Sequence, residues 1–112
     1  MLEFVRETCL ALPDTAEKVS WGEPVWHHRK GKIFAMFADR HHNDRVSVWI
    51  AARPGVQEAL IQESPEQYFR PPYVGVKGWV GAYLDIEFDR TELAELLSEA
   101  HALTAPKPGR KS

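Results

Sequence analysis

Histidines, tryptophans and a cluster of cations are the residues of this chain whose types and spacing could do chemistry. The histidines include two adjacent pairs, His27-His28 and His41-His42, with Asp39 and Asp44 near the second. Imidazoles and carboxylates at such spacing are what a divalent transition metal takes as ligands. Strand geometry opposes a shared site. Adjacent residues of an extended strand point to opposite faces, so His27 and His28 do not easily hold one ion. The segment 32–38 separates the two pairs by about 20 Å if it is extended at ~3.3 Å per residue. No metal site is therefore expected, and the 39–44 loop is the one place where a local site could form. No nucleophile stands in an activating motif, because G-x-S-x-G, H-E-x-x-H, Walker A and G-x-G-x-x-G are all absent. The glycine-rich GVKGWVG at 75–81 lacks the lysine-serine ending and the strand–loop–helix setting of a phosphate cradle. No catalytic residue is assigned, and the expectation is a non-enzymatic protein without a cofactor.

What remains is binding chemistry. Four tryptophans, Trp21, Trp26, Trp49 and Trp79, are many for 112 residues. Strand alternation predicts that Trp26 with His28, and Trp49 with Ser47, lie opposite the face of Val46, Val48 and Ile50. If helices cover that aliphatic face, the tryptophans line the other. Rings beside Arg and Lys suit nucleobase stacking. They equally suit a homodimer interface or a second small core beneath residues 64–79. The net charge of −2 hides a segregation. Residues 27–53 carry six basic side chains (Arg29, Lys30, Lys32, Arg40, Arg45, Arg53) against Asp39 and Asp44, whereas residues 54–103 carry three basic against nine acidic. The middle segment can make a basic patch on an acidic protein, or simply a solvated hairpin. A dedicated duplex binder usually has a basic total, because phosphate neutralisation dominates its affinity.

These side chains need elements to position them. Leu2, Val5, Cys9 and Leu12 form the apolar stripe of a helix over residues 2–12, which makes Cys9 a core residue rather than a reactive thiol. Strands are predicted over 17–21, 25–29, 33–38 and 46–52. The run 33–38 is apolar throughout, as for a central strand with both faces covered. A helix over 55–63 buries Val56, Leu60 and Ile61, and a Pro-rich connection fills 64–72. Residues 73–76 and 79–85 read as two short extended segments, and Lys77 and Trp79, two apart, share a face if the strand there is regular. There Trp79 is expected to pack on the sheet with the Lys77 stem across its ring. Asp89, with Glu92 three residues on, caps a last helix whose stripe is Leu93, Leu96, Leu97, Ala100 and Leu103, and Pro106 ends it. The order α-β-β-β-β-α-β-β-α, without alternating βαβ units, predicts an α+β two-layer sandwich on an antiparallel sheet.

Length and composition fit one domain over 1–105 with a basic, frayed tail at 106–112. Apolar residues at 44% and charged residues at 27% are ordinary for a globular chain. One cysteine excludes an internal disulfide framework. No run approaches the ~20 apolar residues that span a bilayer. The opening MLEFVRETCLALPD places Glu3, Arg6 and Glu7 within its apolar pattern, unlike a signal or transit peptide. The expectation is a cytoplasmic protein without a membrane partner, either monomer or homodimer.

The block R-P-P-Y-V-G-V-K-G-W-V-G-A-Y-L-D at 70–85 is more specific. With C-L-A-L-P-D-T at 9–15, W-G-E-P-V-W at 21–26 and K-I-F-A at 32–35, it resembles the MmcQ/YjbR family of small bacterial proteins. The resemblance implies a CyaY-like, secretion-chaperone-like α+β fold with helices on one face, described for the family as a double-wing DNA-binding architecture. It puts Tyr73, Lys77 and Trp79 in a shared surface and Trp21, Gly22 and Pro24 in a shared turn, and it transfers no catalytic residue. The candidate DNA-contacting residues are then Arg29, Lys30, Lys32, Arg40, Arg45, Arg70, Tyr73, Lys77 and Trp79. Frataxin-like proteins of similar fold bind iron on an acidic first helix; here that helix offers only Glu3 and Glu7 around Arg6. The competing expectation is a protein-interaction or small-ligand module, with a homodimer through the tryptophan-bearing face and no role for nucleic acid.

Overall fold

The computed structural model describes residues 2–39 and 45–106. Among them six strands form one antiparallel sheet in the order β1-β2-β3-β4-β6-β5, where β1 is Thr15–Ser20, β2 Glu23–His28, β3 Ile33–Asp39, β4 Val46–Ile50, β5 Tyr68–Phe69 and β6 Val80–Tyr83. Helices α1 (Leu2–Leu10) and α3 (Arg90–Thr104) cover one face, and α2 (Val56–Glu63) packs at the β5 edge. The α+β class and the antiparallel sheet are those expected. No helix among the described residues is long and apolar enough to cross a membrane.

Register sorts the side chains between the two faces. Trp26, Ala35, Ile50 and Val80 stand opposite one another across β2, β3, β4 and β6, and form one row under the helices. Phe37, Val48, Ala82 and Tyr68 form the next. Val5 and Cys9 of α1 and Leu93, Leu97 and Ala100 of α3 close on these rows to make the core. Burial pushes the Cys9 thiol well above its ordinary pKa, in keeping with a core residue. Trp26 pairs with Ala35, but His27 pairs with Ile33, so Phe34 is an extra residue in β3. This bulge turns Phe34 to the helix side as well, where its ring meets His28 at 5.7 Å and His101 of α3 at 5.3 Å. The unbroken apolar run of β3 thus has two causes, a central position and a bulge.

Three expectations need correcting. Trp26 does not line the uncovered face: it is wholly buried beneath α1, and its indole N–H donates to Glu17 Oε1 at 2.9 Å. Arg6 of α1 grips the same carboxylate at 2.9 and 3.0 Å, and these donors hold Glu17 below the usual carboxylate range. The fifth strand is Tyr68–Phe69, inside the Pro-rich connection, where Tyr68 O–H also donates to Glu92 of α3. Residues Val74–Lys77 are not extended but form a 3-10 turn, because Tyr73 (φ 65°) and Gly78 (φ 90°) reverse the chain on either side. Pro71 and Pro72 have no N–H to give a ladder, so pairing stops at Phe69. The turn is anchored from α2 by buried Gln57, which donates to the carbonyls of Gly75 (2.9 Å) and Trp79 (2.6 Å). The last helix starts as predicted, with Asp89 accepting from the backbone N–H groups of Thr91 and Glu92.

Candidate functional site

The antiparallel order gives the sheet two unlike ends. β2 finishes at His28, β3 starts at Ile33, β4 finishes at Ile50 and β6 starts at Val80, so residues 29–32, 51–55 and 77–79 share one end. Two contacts tie these segments together: Ala51 N–H donates to Phe34 O at 3.0 Å, and Gly78 lies beside the Ala52 carbonyl. Arg29, Lys30, Lys32, Arg53 and Lys77 are all exposed there. Arg70 follows β5 at the same end, with its side chain across Gly75. Among the described residues the ion pair at this end joins Arg29 to Asp14, at 3.8 Å. The opposite end carries Glu23, Asp39, Asp85 and Asp89.

The predicted set therefore divides. Arg29, Lys30, Lys32, Arg70 and Lys77 come together. Arg45 does not join them: it lies at the acidic end, where it makes two 2.8 Å bonds to Asp85 and stands 3.7 Å above the Tyr83 ring. That bidentate pair holds Asp85 below its usual pKa. Arg40 and the His41-His42 loop lie outside the described residues, as do residues 107–112 of the tail. Trp79 is half-buried against the core, as expected of a structural residue, but Lys77 and Trp79 do not share a strand face, because the chain turns at Gly78. Arg53 was missing from the set. Its place in the basic middle segment is visible in the sequence, but only the return of β4 brings it to the same end of the sheet as Lys32 and Lys77.

On the sheet's uncovered face, Val25, Met36, Trp49 and Gly81 form a row across β2, β3, β4 and β6. Over Gly81 lies the Phe69 ring, which stacks on Tyr83 at 4.5 Å. Residues 70–79 then cross part of this face, and between them and the β1–β2 turn opens a groove of about 400 Å³. Its floor is Val25, Met36, Ala38 and Trp49, and its lips are Trp21 on one side and Tyr73 with Val74 on the other. Trp49 is only 8% exposed, but Trp21 is 88% and Tyr73 77% exposed. The polar wall is Ser20 and Glu23, whose Oε2 accepts from the Asp39 N–H at 3.1 Å.

The histidine pair departs from the expectation that His28 lines the uncovered face with Trp26. His28 faces the helices, where its Nε2–H donates to His101 O at 2.9 Å beside Thr104 Oγ1, while His27 Nδ1–H donates to the carbonyl of His28. Burial, with His101 next to it, lowers the His28 pKa and so favours the neutral ring. Among the described residues no three His, Cys, Asp or Glu side chains come together as a metal site would need.

A single antiparallel sheet, backed by helices on one face and grooved on the other, defines a small α+β domain with two candidate binding surfaces. Residues 10–103 match the profile of the YjbR family, and the chain belongs to that family. Its fold is also that of the Deinococcus radiodurans protein DR2400, whose crystal structure carries the family domain DUF419: the TM-score is 0.77 at 22% identity, covering 92% of this chain and 77% of that one. No curated protein matches this sequence.

Proposed function

We propose that this YjbR-family protein is a non-enzymatic module that binds DNA through the basic end of its sheet. The observation that carries the reading is the convergence of exposed Lys30, Lys32, Arg53 and Lys77, from three separate segments, on one end of one sheet. Such a patch is compatible with a net charge of −2, because the charges are segregated, with Glu23, Asp39, Asp85 and Asp89 at the other end. Contacts of this kind are electrostatic and neutralise backbone phosphates, so affinity falls with salt. About four contacts give a slope near −3.6 in log K against log salt. Mobility-shift titrations on duplex and single-stranded DNA at ~50 mM salt test this. Lys32→Glu with Lys77→Glu is expected to abolish the shift, whereas Arg45→Ala, at the far end, leaves it unchanged. Absence of a shift at tens of micromolar protein removes the reading.

A further inference from the structure

The groove on the uncovered face is built from residues that its local structure does not ask for. Trp21 and Gly22 form the two-residue connection between paired Ser20 and Glu23, and both have positive φ, at 54° and 82°. A two-residue hairpin loop with two left-handed residues favours Asn-Gly or Gly-Gly, since a side chain with a bulky Cβ substituent is disfavoured there. Here the first position is a tryptophan, and its indole is almost fully exposed. Across the groove Tyr73 repeats the combination, a positive φ of 65° on an exposed aromatic. Of the described non-glycine residues with positive φ, the third is Asp14, a type that tolerates the region. Both strained aromatics thus stand at the lips of one cavity, and strain of this kind collects where a ligand is held.

The lining defines the ligand. Trp21, Trp49 and Tyr73 present three rings, Val25, Met36 and Val74 present aliphatic surface, and among the described residues the ionisable acid or base on the wall apart from Tyr73 is the Glu23 carboxylate. Aromatic faces carry negative quadrupole potential and attract organic cations, most strongly when the cation is poorly hydrated. A carboxylate beside them adds a full charge of the same sign. The volume of about 400 Å³ lies in the range of small-molecule sites. We infer that the groove is a binding site for a small organic cation, an aromatic or methylated body bearing one positive charge, with Trp21, Trp49 and Tyr73 around the body and Glu23 against the charge. This site is separate from the basic end, which would repel such a ligand and attract the opposite kind.

The test uses three probes of similar shape: 2-phenylethylammonium, the neutral 3-phenylpropan-1-ol and the anionic 3-phenylpropanoate. Binding is followed by NMR chemical-shift titration of the full chain, with sedimentation to read its oligomeric state. The ammonium should bind at least tenfold more tightly than the alcohol, and the anion should not bind. Glu23→Gln keeps an acceptor for the Asp39 N–H and should cut ammonium affinity about tenfold without changing the fold. Trp21→Ala, at an exposed turn, should weaken it several-fold. Equal binding of ammonium and alcohol, or an unaltered affinity in Glu23→Gln, overturns the proposal, leaving a merely apolar groove. No binding by any probe also overturns it, as does a stable dimer that buries Trp21. None of these outcomes bears on DNA binding, which Glu23→Gln and Trp21→Ala should leave intact.

Discussion

Trp26 and Trp49 sit two strands apart in the same sheet, and the fold treats them in opposite ways. Trp26 lies under α1 in a row with Ala35 and Ile50, wholly out of solvent, its N–H spent on a carboxylate that Arg6 also holds. Trp49 lies on the far side, with Val25 and Met36, at the floor of an open groove. Around Trp26 the indole N–H, the Glu17 carboxylate and the Arg6 guanidinium bond one another and the ring serves cohesion. Trp49 instead borders a groove that Tyr73 and Val74 also line. A tryptophan on a strand is thus neither core nor site by type. The layer placed over its face makes the difference.

The sharpest way to break this contrast is truncation. Trp26→Ala should cost about 3–5 kcal/mol in urea unfolding, the loss expected for a large ring removed from a packed interior, whereas Trp49→Ala should cost clearly less because part of its ring already borders the groove. Equal losses would mean that the two faces are covered alike. A smaller effect tests how the uncovered face is closed toward β5. The Cβ of Gly81→Ala would meet the Phe69 ring, so this overpacking should cost about 1–3 kcal/mol. A variant that melts like the parent would show that Phe69 does not press on Gly81.

The covered face also makes a prediction about pH. The pKa of His28 is lowered in the fold, so the unfolded chain binds the proton more readily. Its contribution is fully present above about pH 6.5, the unperturbed value, and is lost as pH falls from there toward the lowered folded value. His28→Gln should flatten urea midpoints across this window, and an unchanged slope would place the titration elsewhere. The least effect belongs to the groove's lip. Trp21→Asn puts a residue that tolerates positive φ into the turn and should leave stability unchanged or raise it by up to about 1 kcal/mol. A marked loss would make Trp21 a packing residue like Trp26.

Much of this molecule follows from local pattern. The stripe of Val5 and Cys9, the Asp89 cap with the leucines behind it, and the apolar run of β3 are short-range signals. They depend on periods of 3.6 and 2 and on one side chain bonding its own helix end. From these the α+β class, the first four strands and the basic middle segment could be read. What local pattern cannot carry is how one strand is set against the next. Alternation says that Trp26 and Val25 face opposite ways, but only the register of β2 on β3 and β3 on β4 puts Trp26 with Ile50, and a slip of one residue would reverse it. The same holds for β5, two residues whose pairing with β6 no propensity announces, and for the turn at 74–77, which Gln57 holds from another helix. The joining of Arg53 to Lys32 and Lys77, the isolation of Arg45 with Asp85, and the meeting of Trp21 with Tyr73 across a groove are likewise facts of long-range pairing. Composition and period set what each segment is, because those forces act within a few residues. Which segments become neighbours depends on packing the whole sheet at once, and both candidate binding surfaces arise only at that level.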